Sequence, residues 1–291
     1  MRAGPRDRRL WWAATVALRA PSLGNSQPWC WVVGPSHLEL HAVTERALPR
    51  WDPDGRGLVL SCGVSLHHAQ VGLRACALEP VTTLLPDGPG STPMARITGV
   101  PRHRGAEDLA AVLALLARRT DRRRLTGWPV PPGRLDRLVD EARSGGACAL
   151  TVGSARSHWW ARTLLGEARR TAPHRSRGSR PPEGRTTLRA GDPLVVLGGP
   201  RDDVDAWLVS GVALGRAWLR AQRDDLALVP LSEVVEVPGT RAALRRHVVE
   251  DRFEPHLLLR VGWRPIGRPP EPSPPRLPST QVLRPVGRTG G

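Results

Sequence analysis

The sequence predicts an α+β protein, because helical and extended patterns mix along its whole length. Apolar side chains recur every three to four residues at 58–78 and 204–222, which predicts helices. Short apolar runs such as 194–197 and 226–231 indicate strands between the helices. The hydrophobic fraction of 40% is sufficient for a core, and charges, Gly or Pro interrupt each apolar run before it reaches membrane-spanning length. We therefore expect a soluble globular protein.

The first half contains a predicted helix at 58–78 that is apolar on most sides, as expected for a central helix covered by other elements. Repeated Pro and Gly over 80–105 leave room for one weak strand. The other predicted elements of this half are a helix at 7–19, a loop at 21–28 and strands at 29–33 and 37–41.

The second half predicts a regular mixture of helices and strands. The stretch 171–191 is rich in Pro, Gly and Arg, which indicates a flexible basic linker or a lid. After Trp263 the chain is Pro-rich and is predicted to form an extended tail rather than a core element. The predicted helices lie at 106–119, 132–144, 154–170, 204–222 and 240–249, with Ser154 and Thr240 as N-caps, and the predicted strands at 147–152, 194–197, 226–231 and 256–261.

The charge of the chain comes from arginine alone. The formal net charge is +16, and all 43 basic residues are Arg. Arginine binds phosphate groups bidentately, so a phosphate-bearing ligand is easily accommodated. Single-strand nucleic-acid binders interleave basic and aromatic residues on one face, and no segment here does so. The composition therefore argues against nucleic acid as the primary ligand.

The cysteines and the N-terminal segment bear on compartment and metal binding. The chain contains Cys30, Cys62, Cys76 and Cys148. None has the spacing of zinc ligands, and scattered thiols are typical of the reducing cytosol. An arginine-rich start followed by the apolar residues 10–18 superficially resembles a secretory signal, but the run is short and Arg19 ends it. We expect no metal site and a cytoplasmic protein.

The loop from Arg19 to Trp29 (R-A-P-S-L-G-N-S-Q-P-W) carries the sharpest motif. It places a hydroxyl, two amides and a glycine between two prolines, an arrangement that can present polar groups to a planar ligand. By residue types alone, a simple Asn/Ser/Pro turn is the commoner interpretation. The order of the residues resembles the A-P-S-x-x-N-x-Q-P-W signature of the nitroreductase family of flavoproteins, with every fixed position matched. Segments that resemble the Acg-like branch of that family are 46–55 (R-A-L-P-R-W-D-P-D-G), 61–63 (S-C-G) and 258–263 (L-L-R-V-G-W).

A second motif, Arg118 to Arg122 (R-R-T-D-R), combines guanidinium groups with a hydroxyl, a set suited to a phosphate dianion. In so Arg-rich a chain, a solvated basic surface is the alternative. The motif resembles the R-R-S-x-R segment with which the family holds the phosphate of FMN, with Thr120 in place of Ser. That resemblance implies that Arg118, Thr120 and Arg122 bind the phosphate.

The order of the two motifs is reversed relative to ordinary family members, in which the phosphate motif comes first. Those proteins are dimers that build each FMN site from the phosphate motif of one subunit and the Pro-Ser loop of the other. The resemblance therefore implies two half-domains in one chain that mimic such a dimer, one FMN per chain and a monomer. The half-domains would span 1–105 and 106–263, followed by a tail at 264–291.

The resemblance also implies roles for further residues. Ser232 and Leu231 would lie at the redox-active edge of the flavin, and Arg276 in the tail would add a cation to the phosphate site. Gln27 would support the loop. The loop residues that would line the flavin ring or ribityl chain are Pro21, Ser22, Leu23 and Asn25.

The expected function is that of an FMN-dependent oxidoreductase that takes a hydride from NAD(P)H and passes electrons to a nitroaromatic, a quinone or a similar small molecule. Flavin carries this chemistry, so no side chain is named as catalytic. The alternative is a protein that binds or sequesters FMN without turnover. It is favoured by departures from the family pattern, namely Asp224-Asp225 in place of a glycine, Ser232-Glu233 in place of an acid–glycine pair, and Pro274 in place of a second tail cation.

Overall fold

The computed structural model describes residues 5–88, 90, 92–118, 125–171, 188–264 and 274–286. Within these ranges no helix combines the length and apolar character that crossing a membrane requires. Helices and two separate β-sheets share one large hydrophobic cluster, which confirms the predicted α+β fold class.

The first half folds as predicted except at 80–105, where two strands form instead of one. These strands pair antiparallel, with Leu84 opposite Ala95. Most of the Gly and Pro residues that argued against a second strand lie in the connection between them, where they shape the turn. The elements of this half are α1 (Pro5–Ala17), β1 (Trp29–Val33), β2 (His37–Ala42), α2 (Arg56–Ala75), β3 (Leu78–Leu84) and β4 (Ala95–Pro101).

In the second half the predicted N-cap Ser154 accepts a hydrogen bond from the backbone of Ser157 at 3.0 Å. The prediction that Thr240 caps a helix is wrong. Thr240 lies inside that helix, and its hydroxyl donates to the carbonyl of Val234 in a preceding short helix that the sequence analysis missed. The elements are α3 (Ala106–Ala117), α4 (Pro132–Ser144), β5 (Cys148–Thr151), α5 (Ala155–Thr171), β6 (Leu194–Gly199), α6 (Val204–Arg223), β7 (Leu226–Leu231), α7 (Glu233–Glu236), α8 (Pro238–His247) and β8 (Glu254–Trp263), followed in the tail by α9 (Ser279–Val282) and β9 (Leu283–Pro285).

The two halves repeat the same arrangement of strands. The first sheet has the order β3-β4-β2-β1-β9 and the second the order β7-β8-β6-β5. All pairs except β1–β9 are antiparallel. Helix α6 and strand β7 each begin 148 residues after their counterparts α2 and β3 (56 to 204 and 78 to 226). This repeat supports the interpretation of the chain as two half-domains.

Helices α2 and α6 cross at two glycines. A Cβ atom on Gly63 would lie 2.6 Å from the Cα atom of Gly211, and one on Gly211 would lie 2.8 Å from the Cα atom of Gly63. Since the distance between packed helices depends on the side chains at their contact, the absence of side chains here allows a close crossing. The crossing lies at equivalent positions of the two repeats.

The sequence predicted an extended tail outside the core, but part of the tail joins the first sheet. Its strand β9 pairs in parallel with β1, with Leu283 opposite Trp31, and adds a fifth strand to the first sheet. Val282 and Leu283 are buried, which gives the tail apolar contacts with the core. The C-terminal segment therefore returns to the N-terminal half.

The predicted half-domain boundary at 105/106 falls between β4 and α3. Helix α3 nevertheless packs on first-half helices, because Val112 and Leu115 cluster with Val16 and Val71. The division into 1–105, 106–263 and 264–291 therefore remains a proposal about repeats in the sequence. The halves share one large core cluster, and the second half also has a cluster of its own.

Candidate functional site

The connection between α1 and β1, residues 18–28, is held in shape by its own polar groups. The hydroxyl of Ser22 accepts a hydrogen bond from the backbone N–H of Gln27 at 2.8 Å. Gly24, Asn25 and Gln27 have φ angles of 57°, 58° and 48°, in the left-handed region. Gly and Asn adopt this region readily, whereas a glutamine there is strained and needs support from its surroundings.

Helix α2 supplies part of that support. The backbone N–H of Leu23 donates to the hydroxyl of Ser61 at 3.2 Å, and this hydroxyl donates to the carbonyl of Gly57 at 2.6 Å. A Cβ atom on Gly57 would lie 2.8 Å from the side chain of Leu23. The loop therefore lies directly on the first turns of α2, and glycine at position 57 makes this approach possible.

The C-terminal tail supplies the rest. The side-chain amide of Asn25 donates to the carbonyl of Pro275 at 2.9 Å, and the backbone N–H of Leu277 donates to the side-chain oxygen of Gln27 at 3.0 Å. The guanidinium of Arg276 donates to the side-chain oxygen of Asn25 and to the carbonyl of Arg19, both at 2.9 Å. Three residues predicted for the site, Asn25, Gln27 and Arg276, thus meet although the tail is 250 positions away in sequence.

A largely apolar pocket opens beside this loop, with about 520 Å³ of empty space when the part open to solvent is included. It gathers four of the predicted residues, Pro21, Ser22, Leu23 and Ser232. The sequence motifs did not identify the other residues that line the pocket, although the motif S-C-G at 61–63 lies on α2, which supplies four of them. Those lining residues are Gly57, Leu60, Ser61 and Val64 of α2, Leu214 and Trp218 of α6, Pro230 of β7 and Leu257 of β8.

Leu231 does not face this pocket with its side chain. Neighbouring strand residues point to opposite faces, so Pro230 and Ser232 face the pocket while Leu231 is buried in the second hydrophobic cluster. A ligand in the pocket could meet Leu231 only through its backbone. The resemblance likewise implies that the backbone of this segment lies at the flavin edge, so the role of Leu231 stays a prediction.

Two predicted cations accompany the pocket. Burial, together with the charge of Arg19, lowers the pKa of Arg276 to about 10, and among the described residues no carboxylate forms an ion pair with Arg276. The guanidinium of Arg118 lies 5.2 Å from the ring centre of Trp218, a pocket residue, and Arg118 is buried. The other two residues of this motif that are predicted to bind phosphate, Thr120 and Arg122, lie outside the described residues.

A network of charges lies behind the pocket at the start of α2. Arg56 is fully buried and donates to the carboxylates of Asp202 and Glu236 at 3.2–3.3 Å. Asp52 accepts hydrogen bonds from the backbone of Gly57 and Leu58, both at 2.8 Å, which satisfies two N–H groups of the helix start. Burial, reinforced by the charge of Asp52, raises the pKa of Glu236 to about 8.

The equivalent position in the other repeat is built from different groups. With the offset of 148 residues, Gln70 corresponds to the pocket residue Trp218, and its side chain donates to the hydroxyl of Thr82 at 3.0 Å. The counterpart of the loop 18–28 is the short connection 145–147 between α4 and β5. A Cβ atom on Gly146 would lie 3.2 Å from Val209, so this connection packs directly on α6.

Neither metal nor thiol chemistry is evident in the described ranges. No group of three or more His, Cys, Asp or Glu residues there could hold a metal ion. Cys62 is completely buried in α2, and burial raises the pKa of its thiol to about 12, so it carries no reactive thiolate near neutral pH.

Sequence relatives place the chain in a family. It is 34% identical over 307 residues to the Mycobacterium tuberculosis (strain H37Rv) protein Rv3131, whose name describes it as an NAD(P)H nitroreductase. The alignment covers 92% of this chain and 89% of that protein. This chain belongs to the nitroreductase family. It is also 26% identical over 321 residues to the protein acg of the same species, which is likewise named as an NAD(P)H nitroreductase. That alignment covers 93% of this chain and 94% of acg. No model of a protein family matches the chain.

Solved structures overlap with part of this nitroreductase-family chain. A nitroreductase with bound FMN from Bacteroides fragilis superposes with a TM-score of 0.43 at 13% identity, covering 57% of this chain and 94% of that one. An iodotyrosine deiodinase bound to FMN and 3-iodo-L-tyrosine gives a TM-score of 0.44 at 18% identity, covering 58% and 95%.

Proposed function

We propose that this nitroreductase-family protein binds one FMN per chain in the pocket between the loop 18–28, α2, α6 and the end of β7, and that it is an NAD(P)H-dependent oxidoreductase. The observation that carries the proposal is the meeting of Asn25 and Arg276, which brings a partly buried cation of the tail to the motif loop beside an apolar pocket. The names of its relatives, NAD(P)H nitroreductases, support the same function.

The residues present fit FMN. Its isoalloxazine ring is flat and largely apolar, and the pocket offers Pro21, Leu23 and Leu257 as apolar walls with the hydroxyls of Ser22 and Ser61 at its rim. Its phosphate is a dianion, and Arg276 is a partly buried cation with which no carboxylate of the described residues forms an ion pair.

We propose that Arg118 and Arg276 hold the phosphate, together with Thr120 and Arg122. Pro21, Ser22, Leu23 and Asn25 would contact the ring or the ribityl chain, and Gln27 would keep the loop in place through its bond to Leu277. Leu231 and Ser232 would border the redox-active edge, the former through its backbone.

When bound, FMN supplies the redox chemistry, since it accepts a hydride from NAD(P)H and passes electrons on. The protein positions the ring and excludes water. Leu60, Val64 and Leu214 form an apolar base for it, and none of the described residues that line the pocket is ionisable. A site without an acid or base suits acceptors that need no protonation from the protein, such as nitroaromatics or quinones.

A second candidate is a protein that holds FMN without turnover. It is favoured by two features: the tail straps the loop through Asn25 and Gln27, and Glu233, which follows the pocket residue Ser232, forms an ion pair with Arg169 at 3.2 Å rather than lining the pocket. The tail contacts restrict the movement of the loop that a second molecule would need, and the ion pair leaves the pocket without an acidic side chain beside Ser232.

The test is a visible spectrum of the purified protein followed by anaerobic titration with NADPH and NADH. We expect bound flavin at one equivalent per chain and bleaching on titration. A colourless protein that does not take up added FMN contradicts the binding proposal. Bound flavin that neither nucleotide bleaches contradicts the oxidoreductase and favours the second candidate.

We also propose a cytoplasmic monomer. Both motifs of one site are in the same chain, so the site needs no partner subunit, and the four cysteines are free thiols. Size-exclusion chromatography with light scattering tests the monomer, and a mass of about twice the 31.7 kDa of one chain contradicts it.

A further inference from the structure

We propose that His68 is a binding residue that makes this site prefer a phosphorylated flavin, by donating a hydrogen bond to the phosphate beside Arg118 and Arg276. The proposal rests on the proposed binding of FMN, and it assigns a role to a residue outside the two sequence motifs. Trp218 is inferred to offer a second neutral donor from α6.

His68 continues the face of α2 that lines the pocket. Gly57, Ser61 and Val64 line it at helical spacing, and His68 is one turn beyond Val64 on the same side. Opposite this end of the pocket, Trp218 carries the guanidinium of Arg118 against its ring at 5.2 Å. This face of α2 therefore runs from the apolar pocket toward the end where Arg118 lies.

The side chain of His68 is fully buried, and neither ring nitrogen has a hydrogen-bond partner among the described residues. The carbonyl of Val64 lies close enough to influence the imidazole but outside normal hydrogen-bond geometry. The indole N–H of Trp218 is also buried and has no hydrogen-bond partner among the described residues. Buried polar groups almost always have partners, so two such groups on α2 and α6, the helices that line the pocket, indicate a ligand that supplies an acceptor.

The charges around His68 identify the kind of ligand. Burial first, and then the charges of His67, Arg118 and Arg276, lower the pKa of His68 well below its usual value. Both arginines therefore act on the same region, and His68 is neutral at physiological pH. A neutral imidazole can donate one hydrogen bond to an anion without adding a further repulsive charge between the arginines.

A phosphate dianion satisfies all of these groups together. It accepts bonds from the guanidiniums, from the imidazole and from the indole, whereas riboflavin, which lacks the phosphate, gives the imidazole and the indole no such acceptor. A site built to hydrogen-bond one ligand group rejects the analogue that lacks it, because the buried polar groups then stay unpaired. His68 would thus contribute to discrimination rather than to binding of the ring.

The experiment measures the affinities of the full chain, freed of flavin, for FMN and for riboflavin by quenching of flavin fluorescence. The variants are His68→Phe, which removes the donor and keeps a ring, and His68→Gln, which restores a donor. We expect His68→Phe to weaken FMN binding about 10- to 100-fold and riboflavin binding by less than about threefold, with substantial recovery in His68→Gln. A parallel loss for both flavins, or no loss for either, overturns the proposal.

A second measurement covers the case in which His68→Phe fails to fold. The wild-type protein is labelled with 15N-histidine, and the imidazole signal of His68 is assigned as the one missing from the spectrum of His68→Gln. FMN should shift this signal to a hydrogen-bonded position, and riboflavin should not. Equal shifts with both flavins overturn the role of His68, whereas a wild-type protein that binds neither flavin overturns the proposed function instead.

Discussion

The guanidinium of Arg276 donates a hydrogen bond to the side-chain oxygen of Asn25 at 2.9 Å, across 251 positions of sequence. The same guanidinium reaches the carbonyl of Arg19, where the loop begins. The tail therefore both fastens the loop and brings a cation to it. These two contributions can be separated by comparing ligands with and without a phosphate.

Replacing Arg276 by Gln should weaken binding of FMN by at least about tenfold, because a charged hydrogen bond to phosphate contributes about 1.5–3 kcal/mol. Binding of riboflavin should fall much less, since Gln can still bond to the loop. Fluorescence titration with both flavins measures the two effects. Arg284→Gln, at an exposed position of the same tail, is the matched control and should change neither.

Ser61 and Ser65 allow a paired test of the contact between the loop and α2. Ser61 accepts from the backbone of Leu23, whereas Ser65, one turn later, accepts from the indole of Trp31 away from the pocket. Ser61→Ala should speed the release of flavin, because the loop loses its attachment. Ser65→Ala should lower the free energy of unfolding by about 1–2 kcal/mol and leave flavin release unchanged. Stopped-flow release and urea unfolding distinguish them, and equal release rates in the two variants would contradict the role of Ser61.

The crossing of α2 and α6 should not tolerate a side chain. A Cβ atom on Gly63 or Gly211 would meet the backbone of the other helix, so Gly63→Ala or Gly211→Ala must push the helices apart. We expect each to lower the free energy of unfolding by about 2–4 kcal/mol. Gly166→Ala in α5 is the control, because its Cβ atom would meet only the flexible end of Arg170 and alanine favours the helix. Urea unfolding measures all three, and a neutral Gly63→Ala would show that the crossing is looser than described.

Glu236 predicts a dependence of stability on pH. Burial raises its pKa to about 8 in the folded protein, compared with 4.5 for an ordinary glutamate side chain. The folded protein holds this proton more tightly than the unfolded chain, so the resulting stabilisation is complete below about pH 4.5 and is lost as pH rises to about 8. Glu236→Gln lacks this loss, so the variant should gain stability relative to wild type between pH 5.5 and 8.5.

Urea unfolding at pH 5.5, 7 and 8.5 measures this difference, and the buried histidines that titrate in both proteins cancel from it. Glu250→Gln replaces an exposed carboxylate and controls for the exchange of an acid by an amide. A difference between wild type and Glu236→Gln that stays constant with pH would show that Glu236 is ionised in the folded protein throughout this range.

Local signals predicted much of the fold. Helix α6 and strand β7 lie where periodicity placed them, because each has a clear apolar face and Asp203 caps the helix by accepting from the backbone of Ala206 at 2.9 Å. Two short elements were missed. Strand β9 is three residues long and exists because β1 offers it an edge, and α7 is a single turn fixed by contact with Thr240.

The sequence by itself determined the family resemblance, the order of the two motifs and the chemical types at the site, since these depend only on which residues follow one another. Tertiary structure decided which of them meet. It turned the side chain of Leu231 into the core and brought Arg276 to Asn25. Periodicity along a chain identifies the buried face of an element but not the element that covers it, because the partner is fixed by packing between segments far apart in sequence.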